Sequence, residues 1–342
     1  EGKIIWVMKN GGGTEDSFSA ANAPLRIGTN GTFEAHGNIR FREMTNNGTL
    51  FFNMAPRGAD ITDDTPYYGD GDVIIDGNAG KSVFFRSRST SKSTVTVRKG
   101  RYAAINSSGN NGAYKFVTPE NPKANLKIVV EPGAQFDLNG VKDFNPTVVI
   151  AGSLNGSKDD WAGALVNRSA TSVGSGAGQI PQIILAGDSH VGGASATSDF
   201  GLLAPAYNET RLDLGPYTMT LNTKAHFWMV NTTITGTGTL CVTNGMLHFL
   251  KSAMRGNDWS LETKEGGIVN FDGVAVTCSN LVWRGTAQGN KGVTAYGTYK
   301  PASTNLPAVR PVGSGGGHRC ARHDGTLGYR HEWRIDVRRR YR

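Results

Sequence analysis

The residues best suited to chemistry in this chain are clustered acids and scattered aromatic rings. Six aspartates crowd residues 60–76: Asp60, Asp63, Asp64, Asp70, Asp72 and Asp76. Carboxylates at this density can hold calcium, or divide into the acid and the base of a glycoside hydrolase. Arg40, Arg42, Arg86 and Arg88 are near them in sequence and could act as the base of a polysaccharide lyase. Aspartate also favours turns and solvated loops, and no EF-hand-like loop closed by a glutamate is present. Asp70, Asp72 and Asp76 are therefore read as ligand contacts, with calcium the one cofactor the loop could take and none required. Trp161 and Tyr207 join them as ring platforms for a sugar, since an apolar ring face with a polar rim suits carbohydrate. Tyr67, Tyr68, Tyr217 and Trp228 are further candidates, although Trp228, inside Ala-His-Phe-Trp-Met-Val, also reads as plain core.

Other constellations fail on context. The glycines at 11–13 precede neither a Lys-Ser/Thr pair nor a helix, so they form a turn and not a phosphate loop. Asp159-Asp160 falls in a Gly/Ser-rich stretch where solvated turn acids are expected. His190, His226 and His248 each lie on or beside a strand and read as outward polar residues, not ligands. His318, Cys320 and His323 have a spacing that could touch a metal, but the flanking Arg319 and Arg322 repel cations. No nucleophile elbow or dinucleotide fingerprint occurs. The sequence thus assigns no catalytic, cofactor-binding or metal residue and leans away from an enzyme.

The elements that must position these groups are strands. Residues 212–250 are apolar or β-branched at every second place: Leu212 and Leu214, Met219 and Leu221, Thr232 and Ile234, Leu240 and Val242, Leu247 and Phe249. A two-residue period marks a strand that buries one face. The runs are short and broken by Gly, Pro and Asn, without the spacing of two-residue hairpins, so stacking successive turns is the way to bury every face. The 46 glycines and only 19% charged residues fit a turn-dense β protein. No convincing amphipathic helix appears. The fold class is all-β: a β-solenoid, with residues 152–163 and 169–180 as side loops and 55–72 as a loop leaving the stack. Taking about 20 to 25 residues per coil, residues 1–310 would make roughly 12 to 15 coils.

Residues 71–86, Gly-Asp-Val-Ile-Ile-Asp-Gly-Asn-Ala-Gly-Lys-Ser-Val-Phe-Phe-Arg, resemble the strand-and-turn unit of right-handed parallel β-helix proteins. That group includes pectate lyases, polygalacturonases, phage tailspikes and autotransporter passengers. From about Phe136 to Phe249 the chain is similar to autotransporter-associated β-strand repeats. The similarity rests on Phe136-Asp-Leu-Asn-Gly140, Gly163-Ala-Leu-Val-Asn167, residues 184–193, Leu212-Asp-Leu-Gly215 and residues 233–240. The resemblance implies a single-stranded right-handed parallel β-helix, export to the cell surface or medium, and a structural or adhesive role, with a polysaccharide or cell-surface glycan as partner. It carries over no catalytic residue. The competing readings are a β-helix lyase or glycoside hydrolase and a trimeric tailspike-like fibre.

The formal charge of +8 is unevenly spread. Residues 311–342 hold eight arginines, no lysine and three acids, which leaves the first 310 residues nearly neutral. A nearly neutral body argues against specific nucleic-acid binding, which normally needs a basic stripe on the folded domain. The sequence divides into a β-helix over 1–310 and a basic tail over 311–342, disordered or not native coding sequence. No run is apolar enough to span a membrane as a helix. Cys241, Cys278 and Cys320 form neither a disulfide framework nor a zinc pattern.

Overall fold

A computed structural model describes residues 2–6, 17–54, 60–63, 65, 67–77, 82–85, 93–104, 127–140, 146–153, 163–168, 180–193, 199–203, 209–250, 258–271, 276–288, 293–295, 299–301 and 333–334. Among these the regular elements are all strands, and every pairing but one is parallel. Most strands pair with others roughly 20 to 35 residues away in the chain, a recurrence that builds three long ladders beside shorter pairings such as Ser17–Ile27 with Asn38–Asn46 and Val276–Cys278 with Val293–Ala295.

The first ladder runs Lys3–Trp6, Thr32–Ala35, Thr49–Asn53, Asp72–Asp76, the start of Thr94–Ala104, Lys127–Val130, Thr147–Gly152, the start of Gln182–Gly193, Thr210–Asp213 and Thr232–Thr235. The second takes Ile61–Asp63, Ser82–Phe85, the end of Thr94–Ala104, Ala134–Asp137, Leu165–Asn167 and the end of Gln182–Gly193. It continues through the first halves of Thr218–Val230, Thr239–Leu250 and Ser260–Asn270 to Asn280–Trp283 and Tyr299–Pro301. The third joins Phe200–Leu202 to the second halves of those same three long strands and then to Thr286–Gln288.

Alternation decides which side chains face inward. In Thr218–Val230 the residues Met219, Leu221, Ala225, Phe227 and Met229 are buried, while Thr220, Asn222, Lys224, His226 and Trp228 between them are not. All ten alternating residues named above for 212–250 are buried. The apolar ones belong to a single hydrophobic cluster fed by all three ladders. Because pairing is parallel, each inward residue meets its register partner on the next strand. Tyr102 lies over Phe136 with ring centroids 5.2 Å apart, and Phe200 meets Phe227 edge-on at 5.2 Å. Such ring contacts add about 0.5–1.5 kcal/mol beyond the area they bury.

The corners between ladders are built by short polar side chains. In the two Asp-Leu corners, Asp137 Oδ1 accepts from the Asn139 N–H at 2.8 Å and Asp213 Oδ1 from the Gly215 N–H at 3.0 Å. The chain then turns through left-handed residues, Asn139 and Gly140 in one case and Gly215 in the other. Gly236 has φ +91, and a Cβ there would lie 2.5 Å from the Gly215 backbone on the neighbouring corner, so both conformation and space demand glycine. Thr263 Oγ1 accepts from the N–H groups of Arg284 and Gly285 in the same manner.

Two sequence expectations need correcting. Residues 55–72 do not all leave the sheet: Ile61–Asp63 and Tyr67–Tyr68 pair with Asn38–Asn46, because Ile61 and Tyr67 supply fully buried side chains. Tyr67 is consequently core and not a sugar platform; its hydroxyl donates to the Gly71 carbonyl and accepts from Asn46 Nδ2. Strand pairing also continues past Trp283, through Thr286–Gln288, Val293–Ala295 and Tyr299–Pro301, runs too short for a period to show. In the basic segment, Trp333–Arg334 pairs antiparallel with Thr294 and Ala295.

Three substitutions at two positions separate the contributions of core and corner. Phe227→Ala is expected to lower unfolding free energy by about 3–5 kcal/mol, since a large inward ring is lost without collapse of the rungs around it. Asp213→Ala should cost about 1 kcal/mol, and Asp213→Asn much less because the amide oxygen still accepts from Gly215. Chemical denaturation of the three proteins checks this order.

Candidate functional site

The structure places the sequence-derived ligand residues apart. Asp72 and Asp76 stand at opposite ends of one strand, about 13 Å apart at the usual strand rise. Asp76 sits in register between Asn53 and Lys99, Asp72 beside Thr49, and Asp70 is exposed on the corner before the strand. Trp161 and Tyr207 lie outside the described residues. Among the described residues no three His, Cys, Asp or Glu side chains converge as a cation would require.

A tighter constellation forms on the outward side of the third ladder. Register sets Gly201, Trp228, His248 and Asn270 in one row across four successive strands, with Phe227, Leu247 and Val269 directed inward beside them. The rings of Trp228 and His248 stack, centroids 3.9 Å apart and planes at 16°. His226, two residues before Trp228 and on the same side, has its ring 4.6 Å from His248 and 5.9 Å from Trp228. Asp199 Oδ1 accepts from the His226 backbone N–H at 3.0 Å, and its Oδ2 is 3.7 Å from His226 Nδ1. Half-exposed His226 and Asp199 form the polar rim of the ring stack.

Two features distinguish this row from an ordinary outer surface. His248 is buried despite facing outward, which departs from the solvated position expected of it. Trp228 Nε1 and Asn270 Oδ1 are buried without hydrogen-bond partners, each at a cost of roughly 1–3 kcal/mol. On the side away from His248, the register partner of Trp228 is Gly201, where a Cβ would fall 2.0 Å from the Trp228 carbonyl oxygen. No side chain fits there, so the register partner on the preceding strand adds none to that side of Trp228. Trp228 was legible as a candidate ring, but its partners were not: Asp199 and His248 are distant in sequence, and only the register joins them. The motifs His-Phe-Trp at 226–228 and Leu-His-Phe at 247–249, with rings at alternating positions about one turn of chain apart, are the signal that could have shown it.

Two buried carboxylates lie elsewhere. Glu34 faces outward on Thr32–Ala35, held by Lys3 Nζ at 2.5 Å, His36 Nε2 at 2.7 Å and Asn53 Nδ2 at 2.9 Å. Burial pushes its carboxyl up, but these hydrogen bonds and the Lys3 charge outweigh burial and pull it down to about 2. Asp137 is the opposite case. Burial dominates, so despite bonds from the Asn139 and Arg168 N–H groups and the charge of Arg101 it is raised to about 7. Arg101 itself is buried and donates to Gln135 Oε1 and Ser82 Oγ. These groups tie rungs together. Cys241 and Cys278 are free and buried, and burial lifts both thiols, Cys278 to about 12, which leaves them poor nucleophiles.

No protein-family model matches the chain, and no curated protein or solved structure matches it.

The two carboxylates give opposite pH slopes. Glu34, depressed from 4.5 to about 2 on folding, contributes stability present above pH 4.5 and lost as pH falls toward 2. Asp137, raised from 3.8 to about 7, contributes stability present below pH 3.8 and lost as pH rises through 7. Urea denaturation across this range should show Glu34→Gln flattening the acid limb and Asp137→Asn flattening the limb toward neutrality. A wild-type slope retained in both variants refutes the assignment.

Proposed function

We propose that this chain is a structural and adhesive module of the secreted or cell-surface passenger type, folded as a single-stranded right-handed parallel β-helix that presents a glycan-binding row. The three parallel ladders sharing one apolar cluster support the helix, since each is the natural face of a repeating coil. Parallel strands joined by a crossover are right-handed in about 98% of cases, which supports the hand. The location outside the cell rests on the resemblance to autotransporter repeats.

The observation that carries the binding reading is the Trp228 ring, stacked on His248 on one face and opposite Gly201 on the other. A pyranose ring has an apolar face that stacks on an indole and hydroxyls at its rim, where Asp199 and His226 can accept and donate hydrogen bonds. Successive strands lie about 4.8 Å apart, close to the length of one sugar ring, so a ligand seated against Trp228 continues the stack by one step.

Isothermal titration against a panel of neutral and uronic oligosaccharides tests this. Binding weakened tenfold or more by Trp228→Ala, with the far-ultraviolet β signal unchanged, is the expected result. No glycan binding, or binding indifferent to Trp228, sinks the glycan-binding reading. Turnover of a uronic polymer abolished by Asp72→Asn or Asp76→Asn would replace the module by a lyase or hydrolase.

A further inference from the structure

The outward side of the first ladder carries a second unusual row. By register, one column reads Glu34, Phe51, Ile74, Thr96, Val129, Val149, Ile184 and Asp213. Its middle stretch, Phe51 to Ile184, is apolar at every step but one, and it is closed at both ends by a carboxylate. The inward columns of these strands, such as Leu50, Val73, Val95, Ile128, Val148 and Ile183, already fill the core. The outer stripe is therefore apolar surface beyond the core, half-buried at Phe51, Ile74, Thr96, Val129 and Ile184 and buried at Val149. On one flank stand Thr49, Asp72, Lys127, Thr147 and Gln182; on the other, Asn53, Asp76 and Lys99, with Glu131 on the next strand.

We infer that this face pairs with the same face of a second copy of the chain, the two ladders running antiparallel about a two-fold axis. The axis crosses between the strand of Thr96 and the strand of Val129. That placement sets Thr96 against Val129, Ile74 against Val149 and Phe51 against Ile184 across the interface. On the flanks it sets Lys99 against Glu131, the one pair of opposite charges, and Asp72 against Thr147 and Lys127 against Thr94, so no like charges meet on either flank. Shifting the axis by half a step destroys this fit, because Glu34 then faces Ile184 or Asp213 faces Phe51. In the favoured register those two carboxylates face each other beyond the stripe. Each already has partners in its own chain: Glu34 holds Lys3, His36 and Asn53, and Asp213 accepts from Gly215. The selection of one register by apolar and charge complementarity is what commits the face to a second copy.

The stripe spans five steps of about 4.8 Å, and with a strand's width it covers on the order of 400 Å² per copy, half of a standard interface. The association is accordingly weak, with Kd in the range of roughly 10 μM to 1 mM.

Sedimentation equilibrium over that concentration range, combined with charge exchange, tests the pairing. The wild-type chain is expected to form dimers, and Lys99→Glu alone or Glu131→Lys alone should each weaken association about tenfold. Mixing the two variants should restore it, because each copy's altered charge then faces the other's complementary one. Contacts within a single copy cannot produce that recovery. A monomer throughout the range, a trimer, or a mixture no tighter than the separate variants overturns the inference. Circular dichroism of both variants, whose changes lie at exposed or half-exposed positions, confirms that the fold is intact.

Discussion

Parallel pairing at one strand spacing governs this molecule, because it forces every side chain to sit against its register partner above and below. A polar residue placed inward would meet neighbours in the same column that are all apolar, so inward columns are continuous: Leu50, Val73, Val95, Ile128, Val148 and Ile183 are one example. The same rule stacks corner on corner, and backbone from successive turns approaches closely enough to exclude a Cβ at Gly69, where Asn46 O would lie 2.2 Å away. Among the described residues several buried polar side chains sit at these corners. Asn46, Asn167, Thr223 and Thr263 are buried there, and each accepts from a backbone N–H that the turn would otherwise leave unpaired.

Outside the core the rule creates neighbours that the chain order conceals. Asp72 and Asp76, four residues apart, point from opposite ends of one strand and cannot act on one small ligand atom. Trp228 and His248, twenty residues apart, stack at 3.9 Å. Chemistry on such a surface is organised along columns that run across the strands, which is why a scattered set of rings forms a row while, among the described residues, no three acids of the acid-rich stretch converge.

Burial of charge follows the same geometry. Glu34 is tolerated because Lys3 and Asn53 from the two adjacent strands and His36 from the bend after its own strand converge on it, so its ionised form is favoured over the protonated one. Asp137 is fully buried, and its backbone donors and the Arg101 charge, which favour the ionised form, do not offset that burial, so it holds its proton toward neutrality. The difference lies in the number of charged or polar side chains that adjacent strands bring within reach.

Alternation by itself determined that the chain is built of strands and which residues of 212–250 face the core. Each of these follows from interactions within a strand or a turn, between residues a few positions apart. The reading of 55–72 as a loop failed because Pro, Gly and Asp signalled turns while Ile61 and Tyr67, two short inward contacts, decided the pairing. Register between strands was beyond the sequence. The intervals between partners vary with the length of each connection, and no local preference encodes them. Only the tertiary structure therefore decided that Asp199, His226, Trp228 and His248 share one patch, that Gly201 is the register partner of Trp228, and that Phe51 to Ile184 form one stripe: all depend on which strands lie side by side.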